Sequence, residues 1–203
     1  MFTRNGFRVT PSGMEPPSYV LTICGLDELA DHNARGVSHV LSILDPGWPE
    51  PEAFWAFDPH MRTTLHFHDA IEPAPGIVLP RRQDVEAILN FGRDVGDDLR
   101  HLLIHCHAGI SRSTAAMMMI LAQAFPSENE DAIADRLVNI RPQAWPNSLM
   151  IAFADELLDR KGRLRAAVKK IYSRRLAAKP ELAEVMRGLD RAGEVEFARA
   201  ANE

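Results

Sequence analysis

The order of apolar and polar positions along the chain predicts short strands that alternate with helices. Leu102–His105 is apolar until its last residue, as expected of a buried central strand. Residues 81–95 carry apolar side chains at helical spacing. This alternation favours an α/β fold with a central, mainly parallel sheet of four to five strands flanked by helices. The other predicted strands are Tyr19–Cys24, Val37–Leu44 and Thr63–His68.

Capping and helix-breaking residues predict the remaining helices. Ser127 and Glu130 have the spacing of a capping box, and Asn147 can cap a helix after a Pro-containing loop. The predicted helices are Asp27–Arg35, Ser113–Ala124, Ser127 to about Ile140, a long helix from Asn147 to a break at Lys179–Pro180, and a short helix after Pro180.

The chain divides into three parts by composition. Residues 1–18 are rich in Pro, Gly and polar groups and are expected to form an irregular lead. Residues 19–160 contain the predicted sheet and form the main domain. Residues 161–203 are expected to form a basic helical extension that packs on this domain or projects from it.

Composition narrows the class of protein. The chain has 203 residues, 46% hydrophobic and 25% charged, which is typical of a globular domain. Its two cysteines exclude a disulfide scaffold and a four-cysteine zinc site. Its apolar runs fall short of the roughly 18 residues of a membrane span, and its N-terminus lacks an apolar signal segment. We therefore expect a cytoplasmic protein.

Charge is distributed unevenly along the chain. The net charge of −5 argues against a nucleic-acid-binding protein. Residues 160–179, however, contain nine Lys and Arg and neither Asp nor Glu, so an acidic body carries a basic segment. One interpretation of this segment is a packed helix with a solvated basic face. The other is a contact with an acidic partner or an anionic membrane surface.

One short segment, His105–Ser113, carries candidate chemistry. An apolar strand precedes a loop that runs from Cys106 to Arg112, and a helix begins at once. In this setting successive backbone N–H groups and a helix N-terminus form a cradle for an anion. Gly109 permits backbone conformations closed to other residues. The planar fork of Arg112 can bind two oxygens of a tetrahedral oxyanion.

Cys106 stands at the base of this cradle. Amide dipoles and the nearby Arg112 cation favour its thiolate over its thiol. A thiolate beneath a bound phosphoryl group is a positioned nucleophile. Phosphoryl transfer depends mostly on positioning and charge neutralisation, and this loop supplies both without a metal or another cofactor.

The run His105–Ser113 resembles the Cys-x5-Arg signature of the cysteine-based protein tyrosine phosphatase superfamily. Its form His-Cys-x-Ala-Gly-Ile-Ser-Arg-Ser resembles the dual-specificity branch, of the bacterial single-domain type. Val37–Leu44 and Arg141–Asn147 are similar to other segments of that branch, and the similarity covers about residues 19–160. It implies a metal-independent phosphomonoester hydrolase that forms a cysteinyl-phosphate intermediate.

The resemblance also implies roles for individual residues. Cys106 would be the nucleophile and Arg112 the cation that binds and stabilises the phosphoryl group. Ser113 would donate a hydrogen bond to the Cys106 sulfur as it leaves, or would only cap its own helix. The substrate phosphate would be bound by His107, Ala108, Gly109, Ile110, Ser111 and Arg112.

Asp69 is the candidate general acid. It follows the predicted strand Thr63–His68 and precedes Cys106 by 37 residues, enough for one loop, one helix and one strand. A neutral carboxyl above the cradle would protonate the leaving oxygen and then accept a proton from water. Glu72 and Asp58 are alternatives for this role, and Asp69 could instead merely end a strand.

Two other groups of residues have competing interpretations. His66, His68, His105 and His107 could converge on a metal ion if their strands were neighbours, although the phosphatase chemistry needs none. Cys24 is interpreted as a buried strand cysteine and not as a disulfide partner of Cys106, because the first strand is not expected to lie next to the loop.

The substrate class is predicted only broadly. A phosphoprotein or a small phosphoester is favoured over a phosphoinositide, a nucleotide or an RNA 5′ end, because no strong cation stands between Cys106 and Arg112. A phosphate-binding scaffold without turnover is the remaining class. The presence of Cys106, Arg112 and Asp69 together disfavours it.

Overall fold

A computed structural model describes residues 19–96 and 98–200. The predicted irregular lead, residues 1–18, lies outside this part of the chain. The four strands form one sheet in the order β1-β4-β2-β3, and all three pairings are parallel. The predicted parallel α/β sheet is therefore confirmed, with four strands. They are β1 (Val20–Cys24), β2 (His39–Leu44), β3 (Met61–His66) and β4 (His101–His105).

The two faces of the sheet are covered differently. All five residues of β4 are buried. Leu102 and Ile104 belong to the larger core with the α-helices, whereas Leu103 belongs to a smaller core beneath two short 3-10 helices. The two 3-10 helices are Leu26–His32 and Glu52–Ala56. The first lies where the sequence predicted a helix over Asp27–Arg35.

Seven α-helices complete the described chain. Twelve of the 13 residues of the helix after the loop are buried, so its small residues and methionines form core packing. No helix within residues 19–96 and 98–200 is long and apolar enough to cross a membrane. The helices are α1 (Arg82–Asp94), α2 (Arg112–Ala124), α3 (Glu130–Ile140), α4 (Ser148–Leu157), α5 (Arg163–Ala178), α6 (Leu182–Gly188) and α7 (Ala192–Arg199).

The predicted capping box of α3 is wrong. The side chain of Asn129, not that of Ser127, accepts the hydrogen bond from Ala132 N at 2.8 Å. The helix begins at Glu130, so Ser127 lies too far upstream to cap it. Asn147 does cap α4 as predicted, since its side chain accepts from Met150 N.

The predicted long helix after Asn147 is also wrong, because α4 and α5 are separate helices. The backbone takes left-handed φ values of 50° at Asp159, 53° at Lys161 and 83° at Gly162. The buried carboxylate of Asp155 holds this turn by accepting from Gly162 N and Leu164 N at 2.5 and 2.8 Å. Two helices, not one, follow the break after α5.

The basic segment 160–179 lies against the acidic helix α3. Buried residues of α5 to α7, such as Tyr172 and Val195, share the larger core with α2. The extension therefore packs on the rest of the described chain. Four of the nine cations of segment 160–179 form ion pairs with α3, which favours the packed-helix interpretation over a docking role. The pairs are Arg160–Glu130, Arg163–Glu130, Lys170–Asp131 and Arg174–Asp135.

Substitution of the α3 cap distinguishes the observed cap from the predicted one. Asn129→Ala removes the acceptor for an otherwise orphaned N–H, and we expect it to lower the free energy of unfolding by about 1 kcal/mol. Ser127→Ala, two residues upstream, is the matched control and should change it little. Urea unfolding of both variants measures the difference. A larger loss for Ser127→Ala would contradict the assignment.

Candidate active site

The loop from Cys106 to Ser111 connects the carboxyl end of β4 to the start of α2. Because β1 and β2 flank β4 in parallel, three strand ends meet at this edge, where α/β sheets commonly bind ligands. Cys106 is only 2% exposed, and its Sγ lies 3.2 Å from Ser113 Oγ in the first turn of α2. The candidate nucleophile and the candidate serine are therefore in hydrogen-bond contact.

The carbonyl groups of the loop accept hydrogen bonds from groups outside the loop. By contrast, the N–H groups of residues 107–111 donate to no acceptor in the described part of the chain. Peptide groups held in this way can direct several N–H donors at one anion. The bonds are Leu26 N to His107 O (2.8 Å), Arg141 to Ala108 O (3.2 Å) and Gly109 O (3.0 Å), Trp145 N to Ile110 O (2.9 Å), and Ala115 N to Ser111 O (2.9 Å).

Arg141 is fixed in turn by Glu28. The two side chains form a bidentate pair, with distances of 2.9 Å from Nη1 to Oε1 and 2.7 Å from Nη2 to Oε2. These bonds lower the pKa of the Glu28 carboxyl, which also accepts from Gly25 N at 2.6 Å. The loop carbonyls are thus tied through Arg141 to the 3-10 helix that follows β1.

Gly109 is required at its position for two reasons. Its φ of +68° lies in the left-handed region, and a Cβ there would come within 2.6 Å of Cys24 O and Gly25 N. Both contacts are with backbone atoms, which a small side-chain adjustment does not relieve. The close approach of the loop to the end of β1 therefore depends on the absence of a side chain.

Arg112 is buried at the start of α2. Its Nη1 donates to Asp45 Oδ1 and to Phe67 O, each at 2.6 Å. Its Nε is also buried but has no partner among the described residues. Because buried polar groups are seldom left unpaired, this Nε is a donor that a bound oxyanion would satisfy.

Asp69 lies beside the loop and is held by three donors that converge on one oxygen. Its Oδ1 accepts from Ser111 Oγ at 2.7 Å, from Asn147 Nδ2 at 2.9 Å and from Arg191 Nη1 at 2.9 Å. Its Oδ2 accepts no hydrogen bond from the described residues. This oxygen is accordingly the one on which an acidic proton can reside.

The pKa of Asp69 reflects two opposing effects. Burial alone would raise the pKa of this carboxyl, whereas the Arg191 and Arg112 cations lower it. The hydrogen bonds from Asn147 and Ser111 act in the same direction, and the net pKa lies below its ordinary value. The carboxylate form is therefore favoured while the cradle holds no other anion.

Two histidines stabilise the start of the loop. Burial lowers the pKa of His105 to about 4, so its ring is neutral, and its Nε2 lies 2.7 Å from Ser42 Oγ. The Nε2 of His107 accepts from Asp45 N at 3.2 Å. The ring of His107 packs edge-on against Trp48. Both histidines therefore serve as packing and hydrogen-bonding partners of the loop.

The four histidines considered as a metal site do not come together. β2 separates β3, which ends at His66, from β4, which ends at His105. His68 instead accepts from Val78 N at 2.9 Å. Within residues 19–96 and 98–200, no group of three or more His, Cys, Asp or Glu is arranged to hold a metal ion.

Cys24 lies closer to the loop than the sequence indicated. β1 pairs with β4, so Cys24 is in register with His105 and its backbone contacts the Gly109 position. The expectation that the first strand stands apart from the loop is therefore wrong. Burial raises the pKa of the Cys24 thiol to about 12, and both Cys24 and Cys106 are free thiols.

The loop opens into a cavity of about 510 Å³. Cys106, Arg112 and Asp69 line it, as does Glu72, the alternative acid; Asp58 does not. One wall is apolar and comes from the C-terminal extension. It consists of Leu182, Val185, Met186 and Leu189.

Sequence reasoning missed three residues of this site. Asp45 follows β2 at the edge where β4 also ends, so its position next to a predicted strand was a usable signal. Arg141 lies in a segment similar to the phosphatase branch, but its pairing with the loop carbonyls depends on tertiary contact. Arg191 lies far along the chain in a short turn, and no local pattern indicates its contact with Asp69.

Several solved structures that are similar to this chain carry the names of phosphatases or phosphatase-like proteins. Human DUSP28 has 16% identity and a TM-score of 0.52, over 72% of this chain and 94% of that chain. A mouse putative dual specificity phosphatase has 17% identity and a TM-score of 0.52, over 79% and 98%. No family model and no curated protein matches the sequence.

These likenesses confirm the resemblance to the dual-specificity branch at the level of the fold. A human tyrosine phosphatase-like serine/threonine/tyrosine-interacting protein is similar to the same degree, with 19% identity and a TM-score of 0.51, over 72% of this chain and 94% of that chain. That protein is named for an interaction, so the fold by itself does not distinguish turnover from binding.

Replacement of Gly109 tests the close approach of the loop to β1. Gly109→Ala adds both a left-handed strain and a backbone clash, so we expect a large loss of stability and of inorganic phosphate binding. Gly36→Ala is the matched control, because φ there is +64° and nothing lies within 4 Å of the added Cβ. It should cost about 1–2 kcal/mol and leave phosphate affinity unchanged. Urea unfolding and calorimetric titration measure both effects; equal losses would contradict the clash.

Proposed function

We propose that this protein is a metal-independent phosphomonoester hydrolase that works through a cysteinyl-phosphate intermediate. The observation that most supports this function is the set of available donors around Cys106. It comprises the unpaired N–H groups of residues 107–111 and the buried, unpartnered Nε of Arg112. The three non-bridging oxygens of a phosphomonoester match such a set in shape and charge.

In the first step the Cys106 thiolate attacks the phosphorus atom. An S–P bond forms as the bond from phosphorus to the leaving oxygen breaks. Arg112 and the loop N–H groups stabilise the charge on the equatorial oxygens during this transfer. Asp69, protonated on Oδ2, gives its proton to the departing oxygen, so that the alcohol or phenol leaves neutral.

In the second step water attacks the phosphorus of the cysteinyl phosphate. Asp69, now a carboxylate, accepts the proton of this water, and the S–P bond breaks to release inorganic phosphate. The sulfur leaves with the bonding electrons. Ser113 Oγ, at 3.2 Å from Sγ, stabilises that negative charge by a hydrogen bond and so makes the sulfur a better leaving group.

The favoured substrates are small phosphoesters and phosphoproteins, with phosphotyrosine ahead of phosphoserine and phosphothreonine. The cavity has an apolar wall of Leu182, Val185, Met186 and Leu189, which suits an aromatic group next to the phosphate. The alternatives are a phosphoinositide, a nucleotide or an RNA 5′ end as substrate, and a scaffold that binds phosphate without turnover. A turnover panel of phosphopeptides, phospholipids and nucleotides separates these classes.

Replacement of the candidate nucleophile tests the proposed chemistry. We expect the purified protein to hydrolyse p-nitrophenyl phosphate in the presence of EDTA. Cys106→Ser should reduce turnover to the uncatalysed background, since an alcohol is far less ionised than a thiol at this site. Cys24→Ser is the matched control and should keep its activity. Binding of a phosphopeptide without turnover by the wild type would favour the scaffold, and activity that survives Cys106→Ser would refute the nucleophile.

Replacement of the candidate acid tests the assignment of the proton donor. Asp69→Asn should lower kcat for a phosphotyrosine peptide by about 10²–10⁴-fold and flatten the alkaline limb of the pH–rate profile. The loss should be smaller for p-nitrophenyl phosphate, because p-nitrophenolate leaves readily without a proton. Glu72→Gln, the alternative acid of the same loop, is the control. If Glu72→Gln flattens the limb and Asp69→Asn does not, the acid role belongs to Glu72.

A further inference from the structure

Arg191 reaches the candidate acid from outside the region that resembles the phosphatase branch. It lies in the turn between α6 and α7 and is 2% exposed. Its Nη1 donates to Asp69 Oδ1 at 2.9 Å and to Ser111 Oγ at 3.2 Å. Ser111 Oγ in turn donates to Asp69 Oδ1 at 2.7 Å. The three side chains thus form a closed hydrogen-bonded triangle at the edge of the cradle.

The other arm of Arg191 is anchored in the core. Its Nη2 donates to Glu194 Oε1 at 2.6 Å, and Glu194 is 1% exposed. Glu194 also accepts from Trp145 Nε1 at 2.6 Å and from Ser148 N at 2.9 Å. The guanidinium is therefore held on one side by a rigid, buried acceptor, and its other side can fix the position of Asp69.

We infer that Arg191 is a positioning residue that holds Asp69 at the cradle and sets the pH at which this carboxyl can carry its proton. The inference rests on the proposed function, because it concerns the acid of that reaction. If Arg191 has this role, the C-terminal extension contributes a residue to the active site. Without the turn at Arg191, the hydrogen bonds among Arg191, Ser111 and Asp69 cannot form.

The charged and titratable groups around Asp69 determine whether loss of Arg191 raises or lowers the pKa of the Asp69 carboxyl. Arg191 faces it from the α6–α7 turn, Arg112 from the start of α2, and His107 from the loop. Burial raises the pKa of Tyr172 in α5 well above its ordinary value, so it is a neutral neighbour. Other charged or titratable groups line the same cavity, and two more pair with the cations. The cavity groups are Cys106, His68, Glu72, Arg175 and Asp190, while Glu194 pairs with Arg191 and Asp45 with Arg112.

The cations favour the carboxylate of Asp69, while a bound phosphate dianion favours its protonated form. Burial alone would lower the pKa of Arg191, but Asp69 and Glu194 raise it above its ordinary value, so the guanidinium keeps its charge. Loss of this cation must raise the pKa of Asp69. Loss of the Glu194 charge must lower the pKa of Asp69, because the Arg191 cation then has one fewer carboxylate to offset its charge.

Two substitutions test the inference. One removes the positive charge of Arg191 and the other removes the negative charge of Glu194, so the two should shift the pKa of Asp69 in opposite directions. For kcat/KM on a phosphotyrosine peptide, Arg191→Gln should move the alkaline limb to higher pH by about one unit or more. Glu194→Gln should move it to lower pH. Arg175→Gln is the matched control, because Arg175 lines the same cavity but donates to Pro142 O and not to Asp69. It should leave the limb in place.

Several results would overturn the inference. A uniform loss of kcat without movement of the limb would make Arg191 purely structural. A rise in KM alone would make it a substrate ligand. If Arg191→Gln does not fold, two other variants test the inference. Arg191→Lys should keep the alkaline limb at its wild-type pH, and Glu194→Gln should still move the limb to lower pH. A limb that Arg191→Lys moves, or that Glu194→Gln leaves in place, would also overturn the inference.

A second measurement separates this inference from the proposed function. The ¹³C carboxyl resonance of Asp69, assigned by its absence in Asp69→Asn, reports the titration midpoint whether or not the protein turns over substrate. We expect the midpoint to rise in Arg191→Gln and to fall in Glu194→Gln. Absent turnover with these shifts would refute the phosphatase and keep the Arg191–Asp69 coupling. Turnover with an unshifted midpoint would refute the coupling alone.

Discussion

The direction of the peptide groups between Cys106 and Arg112 is the constraint on which the rest of the site depends. Every carbonyl from residue 107 to residue 111 accepts a hydrogen bond from outside the loop, so the N–H groups stay available on the other side. The Arg141–Glu28 pair and the missing side chain at Gly109 serve this same arrangement. A cradle built in this way needs no metal to attract an anion, because fixed amide dipoles and one guanidinium supply the field.

The uneven charge of the chain has a structural explanation. Four of the nine cations of the basic segment 160–179 pair with acids of α3; these cations are Arg160, Arg163, Lys170 and Arg174. Part of the basic segment is therefore neutralised by acids of the main domain within the fold. The two cations that contact Asp45, Asp69 or Ser111 beside the loop are Arg112 and Arg191, which lie outside this segment and are both buried. Capture of an anion thus depends on short-range donors and little on net charge.

Asp69 links the two halves of the molecule. Ser111 and Asn147 hold it from the region that resembles the phosphatase branch, and Arg191 holds it from the C-terminal extension. The same donors that fix the carboxyl also favour its ionised form. An acid in such a setting gains its proton most readily when a phosphate dianion offsets the cations. The chain thereby couples occupancy of the cradle to the protonation state of the candidate acid.

The sequence by itself determined the parallel α/β fold and the strand–loop–helix setting of Cys106 and Arg112, because hydrophobic period and a contiguous motif are local properties. It also predicted Asp69 as the candidate acid, and the structure places this residue after β3 in the lining of the same cavity as Cys106. The structure distinguished Asn129 from Ser127 as the cap of α3 and showed that Asp155 divides α4 from α5, although both contacts are local in sequence. Tertiary structure alone decided that Cys24 adjoins the loop. It also decided the partners of Asp69 and Arg112. Such contacts join residues up to 122 positions apart, and no local pattern encodes which distant side chain will fill a buried hydrogen-bonding position.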